Sequence, residues 1–150
     1  MLQFDGKKTL VQNSETCWTK LCDPGFLGRC IPNAESISRP GPDKIQIKLR
    51  PGVSFVRGTL DVTIQIEKGE PGKSVRYSIH SRAIGSTSDA AATVQLEPAP
   101  VGTEVQWIVM IKTLAGLLKA VPQGLIKASA QKVITDIWSA VERQLNVEPA

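Results

Sequence analysis

Histidine occurs once in this chain, cysteine three times, and aromatic residues make up only 5% of it. Each scarcity excludes a class of function. His80 alternates with Arg76 and Ser78 on the polar side of a strand pattern, with no nucleophile or orienting carboxylate that the sequence places beside it. A histidine-based catalytic group is therefore not expected. One imidazole without a thiol pair also makes no zinc site. Cys17, Cys22 and Cys30 are odd in number and lack the C-x-x-C spacing, which argues against a disulfide framework. Buried thiols in a reduced, cytoplasmic chain are the expectation. Basic and aromatic residues are not interleaved on any one face, so no nucleic-acid platform is expected.

Long apolar runs are missing too. The longest weakly charged stretch, Val105 to Leu118, is interrupted by Lys112 and is too short to span a bilayer. The N-terminus has no signal-peptide pattern, and a soluble protein follows as the expectation. Glycine is frequent, yet neither the dinucleotide fingerprint nor the phosphate loop with its lysine occurs. Gly85-Ser86-Thr87-Ser88 reads as a loop. Asp61, Glu67, Glu97 and Glu104 fall out of phase with the apolar positions and form no general acid/base pair. The formal surplus of +4 is small and reads as solvated surface. No metal or cofactor is expected, and the enzyme reading ranks last.

What is present is a contrast of two periods within one domain of 150 residues. Leu2 to Val11 reads as a strand. Asn13-Ser14-Glu15 then offers an N-cap for a short helix over Thr16 to Cys22. Asp23-Pro24 starts a second short helix, through Cys30, by capping followed by proline at the first helical position. The two form a corner piece that plugs one end of the fold. Strand patterns follow: Ala34 to Ser38 weakly, Lys44 to Arg50, Val53 to Glu67 with a bend at Gly58, Val75 to His80, Ala92 to Leu96, and Val105 to Ile111. Gly85 to Asp89 reads as a flexible join. Short breaks imply hairpins and antiparallel order. In the last strand Ile108 and Met110 make the second face apolar as well. Either a two-fold dimer or a second covering layer would account for them.

The C-terminal stretch has the other period. Ile126, Ala130, Val133, Ile134, Ile137, Trp138, Val141 and Leu145 form a broad stripe, while Lys127, Gln131, Lys132, Thr135, Asp136, Ser139, Glu142 and Arg143 take the opposite side. Leu114 to Val121 reads as a further helical stretch, so Pro122 should kink or restart one long helix over residues 115 to 145. An α+β architecture results: a curved antiparallel sheet under a long C-terminal helix, with two short helices after the first strand. Phe26, Leu27, Phe55, Tyr77, Trp107, Leu117, Leu118, Leu125 and Trp138 point into one volume. They are either a close-packed core or the wall of an elongated apolar pocket.

The run Leu21-Cys22-Asp23-Pro24-Gly25-Phe26-Leu27-Gly28-Arg29-Cys30-Ile31-Pro32 resembles the hallmark segment of the CoxG family of carbon monoxide dehydrogenase proteins. There a short helix ending in Asp-Pro is followed by a leucine and Cys-Ile-Pro. Val56-Arg57-Gly58-Thr59-Leu60, Gly102-Thr103-Glu104-Val105, and Leu114-Ala115-Gly116-Leu117-Leu118 with Gly124-Leu125-Ile126 fit in order. The likeness spans about residues 2 to 145. It implies the helix-grip fold of the START-like (SRPBCC) superfamily, in which seven strands surround a long helix over a deep cavity. It also implies association with maturation or membrane attachment of a molybdenum-containing carbon monoxide dehydrogenase, and in some members carriage of a lipophilic quinone. The chain departs from the pattern at Asn33-Ala34, where the family usually has Gly-Cys. No apolar extension follows the helix, so a direct membrane anchor is not expected.

The combined expectation is a non-catalytic protein that holds an extended hydrophobic molecule, a quinone or lipid in class, between sheet and helix. Tyr77, Trp107, Trp138 and Phe55 would line its walls, Phe26, Leu27 and Ile31 one mouth, and Leu117, Leu118 and Leu125 a movable flap. The partners expected are the hydrophobic molecule, a molybdenum hydroxylase-type enzyme or peripheral membrane surface, and a second copy of the chain. The rival is an assembly factor with a filled core, acting through its surface.

Overall fold

The computed structural model describes residues 2–50 and 58–147. Val53 and Phe55 lie outside them. The elements in order are β1 (Leu2–Leu10), α1 (Ser14–Leu21), α2 (Pro24–Cys30), β2 (Ala34–Gly41), β3 (Lys44–Leu49), β4 (Leu60–Lys68), β5 (Ser74–Ala83), β6 (Ser86–Pro98), β7 (Thr103–Gly116), a single 3-10 turn (Leu117–Ala120) and α3 (Gln123–Val147). The seven strands form one antiparallel sheet in the order β1-β7-β6-β5-β4-β3-β2. This is the antiparallel sheet under a long helix expected from the two periods, and it agrees with the helix-grip fold that the resemblance implies.

Local chemistry sets the boundaries. Asn13 caps α1 by accepting the Thr16 N–H at 2.8 Å, and Asp23 caps α2 by accepting the Gly25 N–H at 2.9 Å, with Pro24 at the first turn. Alternation on the strands puts Ile45, Ile47, Val62, Ile64, Ile66, Val75, Tyr77, Val94, Leu96, Val105 and Trp107 on the concave face, all buried.

Antiparallel pairing divides the molecule into two ends. At one end lie the start of β5, the end of β6 and the start of β7. Here the Trp18 indole N–H donates to the Ser74 carbonyl at 2.7 Å, and the Thr103 hydroxyl donates to the Gln12 carbonyl at 2.7 Å. Gln12 in turn donates to the carbonyl of Leu145 in the last turn of α3, at 3.1 Å. Helix α1 thus closes this end, and Gln12 in the link before it ties down the tail of α3. The opposite end gathers Leu49 beside Leu60, Ala83 beside Ser86, and Ser86 beside Gly116. Helix α3 starts there, above an end of the sheet that no helix plugs among the described residues.

Four expectations are corrected. Residues 114 to 121 are not a helical arm. Strand β7 runs on to Gly116 and only a 3-10 turn follows. The pairing skips Lys112, since Asp89 faces Thr113 and Ala90 faces Ile111. That bulge moves the inward phase from Ile111 to Leu114, and a spacing of three imitates a helical pattern. Pro122 kinks nothing but stands where the helix starts afresh, the second of the two outcomes expected of it. Its carbonyl accepts the Ile126 N–H at 3.2 Å and so opens α3. Residues 86 to 89 are not a flexible join either. They are the first rungs of β6, entered by a two-residue turn in which Gly85 takes φ 74°. Strand β2 extends past Ser38 to Gly41. Of the two accounts of Ile108 and Met110, the covering layer is not met: Ile108 is half exposed on the convex face of β7.

Candidate functional site

Between the concave face and α3 lies a cavity of about 690 Å³, within the size range of small-molecule sites. Its inner wall comes from Leu21, Tyr77, Val94, Trp107 and Val141, each buried. Its outer rim comes from Asn33 after α2, Leu49, Leu60 and Ser81 at the strand ends, and Ala128, Ser129, Lys132, Val133 and Asp136 on α3. The rim residues on α3 are largely exposed, so the cavity opens at the unplugged end of the sheet. The lining is overwhelmingly aliphatic and aromatic.

A physical reason for the void can be read from α3. Only Ile126, Val141 and Leu145 of its 25 residues are buried. Ile134, Ile137 and Trp138 reach the core only in part. The helix rests on α2 and β1 and stands off the middle strands, where Val62, Ile64, Ile79 and Ala92 present side chains too short to close the gap.

Tyr77 is fixed rather than available. Its hydroxyl donates to the Leu21 carbonyl at 2.6 Å, satisfying one of the orphan acceptors at the end of α1. Burial pushes its pKa well above the usual phenol range, with Cys22 and Cys30 adding to the effect. Burial also raises the Cys22 thiol, to about 11, and the Cys17 thiol. These are inert, protonated thiols. Trp107 lies across Gly6 of the neighbouring strand: a Cβ there would sit 2.6 Å from its Cζ2. Glycine at position 6 is what lets the indole lie against the sheet as part of the wall. Among the described residues no group of three or more His, Cys, Asp or Glu is placed to hold a metal ion. His80 pairs with Asp89 at 2.7 Å on the exposed convex face, away from the cavity.

Of the residues singled out in the sequence, Leu27, Ile31, Tyr77, Trp107 and Trp138 line this cavity. Phe26 is fully buried but packs behind the wall, under the side chains of Lys20 and Arg29. Leu117, Leu118 and Leu125 are not in the wall. Leu117 and Leu125 are exposed, the former in the 3-10 turn that stands where a helical flap was expected and the latter in the first turn of α3. Phe55 lies outside the described residues. Sequence reasoning missed the polar rim. Lys132 and Asp136, joined at 2.8 Å, belong to the face of α3 assigned wholly to solvent, and Ser129 is assigned to neither face. Their i, i+3 and i+7 spacing along one edge of the apolar stripe was the available signal.

Solved structures of the same fold include a conserved protein from Geobacillus kaustophilus, 23% identical, TM-score 0.86, covering 97% of this chain and 95% of that one. A protein from Rhizobium loti is 14% identical with TM-score 0.67, covering 96% of both chains. One from Chromobacterium violaceum is 16% identical with TM-score 0.61, over 93% and 96%. No curated protein matches the chain in sequence. The family model described as the carbon monoxide dehydrogenase G subunit (CoxG) matches residues 6–146, and the chain belongs to that family.

Proposed function

We propose that the cavity carries an extended apolar molecule, a quinone or lipid in class, in the service of a molybdenum carbon monoxide dehydrogenase-type enzyme. The observation that carries this reading is the aliphatic cavity of about 690 Å³ between β3–β7 and α3, open at one end. The family match and its association with carbon monoxide dehydrogenase systems support the partner. Members of this family are characteristically non-catalytic, which fits a carrier.

The energetics suffice without a buried charge. A micromolar complex needs about 8 kcal/mol beyond an association cost of at least about 4 kcal/mol. At about 25 cal/mol per Å² this corresponds to roughly 500 Å² of apolar ligand surface taken from water, the scale of a prenyl or acyl chain. The ring or head group would lie at the Asn33, Ser129, Lys132 and Asp136 rim, and the chain against Tyr77 and Trp107.

A surface-only assembly factor would need a filled interior, which a cavity of this size does not favour. Native mass spectrometry of freshly isolated protein tests the proposal. A bound hydrophobic species is expected, lost on delipidation and restored by quinone or fatty acyl probes. Delipidated protein that takes up neither kind of probe would overturn it.

A further inference from the structure

The inward face of the sheet changes character close to the cavity mouth. From Val75 to Ile79 on β5 and from Ala92 to Leu96 on β6, alternate residues point inward and all are apolar or aromatic. Tyr77 is the one among them with a hydroxyl, and the Leu21 carbonyl already engages it. Nearer the open end the same phase delivers serine three times: Ser81 on β5, and Ser86 and Ser88 on β6. Ser81 borders the cavity. Ser88 is its direct cross-strand neighbour, which puts the two Cβ atoms about 5 Å apart. One ligand atom can therefore meet both hydroxyls.

Small residues by themselves only make room; unmet hydrogen bonding is what marks these. Among the described residues the buried polar side chains are Ser86, 8% exposed, and Thr103. Thr103 donates to the Gln12 carbonyl at 2.7 Å. Ser86 has no partner among the described residues, and neither have Ser81 and Ser88. Yet no side-chain nitrogen or oxygen sealed off there lacks a partner, so these hydroxyls keep open space beside them. On this face of the sheet that space is the cavity. An unpaired hydroxyl in aliphatic surroundings is costly. Across the mouth α3 presents Ser129, Lys132 and Asp136. Lys132 and Asp136 pair at 2.8 Å, which leaves the lining with hydroxyls and the Asn33 amide but no uncompensated charge.

We propose that Ser81 and Ser88, with Ser86 one inward step further along β6, form a head-group subsite, and that the cargo is a neutral amphiphile whose head carries an alcohol, ketone or ester oxygen. A serine hydroxyl both donates and accepts, so either serine matches such an oxygen. An ionised acid is not matched, because it brings a charge into the mouth where Lys132 is already engaged by Asp136. The inference rests on the carrier reading and narrows it: a hydrocarbon chain alone would leave the serines unmet.

The test is displacement of phenyl-naphthylamine, a neutral fluorescent probe, from the full chain by dodecanol or by dodecanoate at about pH 8, where the acid is ionised. Dodecanol is expected to bind at least about tenfold more tightly. Ser81→Ala with Ser88→Ala should weaken dodecanol about fivefold per hydroxyl and leave the affinity of the probe as in the parent. Dodecanoate that matches dodecanol, or a double variant that binds dodecanol like the parent, would overturn the inference. So would dodecanoate that binds more tightly and loses its advantage in high salt, since that assigns the head to exposed Lys119 and Lys127. A chain that takes up neither the probe nor dodecanol sinks the carrier reading and this inference with it. One that takes up the probe but does not distinguish the heads sinks this inference alone.

Discussion

Ala92→Phe asks whether the space under α3 is real and whether it is where cargo goes. Ala92 lies on β6 opposite Tyr77 of β5 and Val109 of β7, is buried, and borders the cavity. In a close-packed interior, adding a ring forces neighbours off their rotamers and costs about 1–3 kcal/mol. Here the ring has about 690 Å³ to enter. Burying a phenylalanine side chain is worth about 1.5–3 kcal/mol, and the loss of rotamer freedom removes about 1 kcal/mol of that. A net stabilisation of about 1 kcal/mol is therefore expected. The two outcomes differ in sign, and urea unfolding followed by circular dichroism separates them. The same ring stands in the path of an extended ligand, so affinity for a hydrophobic fluorescent probe should fall by about tenfold or more, the equivalent of about 1.4 kcal/mol. A variant destabilised by about 1–3 kcal/mol, as for a packed core, that still binds probe with parental affinity would refute the reasoning.

Tyr77→Phe should cost about 1–3 kcal/mol in urea unfolding, because the buried Leu21 carbonyl loses its donor. Probe affinity should hold, since the ring that faces the cavity is kept. Alkaline pH should destabilise the fold through Cys22. Its folded pKa of about 11 lies above the ordinary 9.0, so below pH 9 both states are protonated and nothing is lost. Above it the unfolded chain ionises first, and about 2–3 kcal/mol of stability disappears as pH rises from 9 towards 11. Buried Tyr77, also raised, adds to the loss in the same direction. Unfolding curves across that range should show a smaller decline for Cys22→Ala than for the parent, and an unchanged decline would count against the burial assigned to that thiol.

Period and capping carry far in this chain. The twofold alternation of Ile45, Ile47, Leu60, Val62, Ile64 and Ile66 can be satisfied only by strands with one buried face. Asn13 and Asp23-Pro24 start helices by chemistry local to a few residues. Both kinds of information survive in one dimension because they act between near neighbours. Strand β7 shows where such reading stops. A bulge at Lys112 is a mismatch between two strands, so no pattern within one strand reveals it, and the shifted phase passes for helix. Leu117, exposed in the turn that follows, reads as an interior residue for that reason.

The sequence alone determined that a sheet and a long amphipathic helix must cover one another, since neither apolar face has another partner, and it singled out Tyr77, Trp107 and Trp138. Only tertiary structure decided that the two surfaces stand apart. The distance between them follows from how α2 and β1 support α3, and from how deep Val62, Ile79 and Ala92 happen to reach. Hydrophobic identity marks a residue as inward-facing, but whether inward-facing residues touch is a matter of backbone placement across the whole fold. The polar rim at Lys132 and Asp136 follows from the same cause, because a helix held off the sheet turns its flank, rather than its apolar stripe alone, towards the opening.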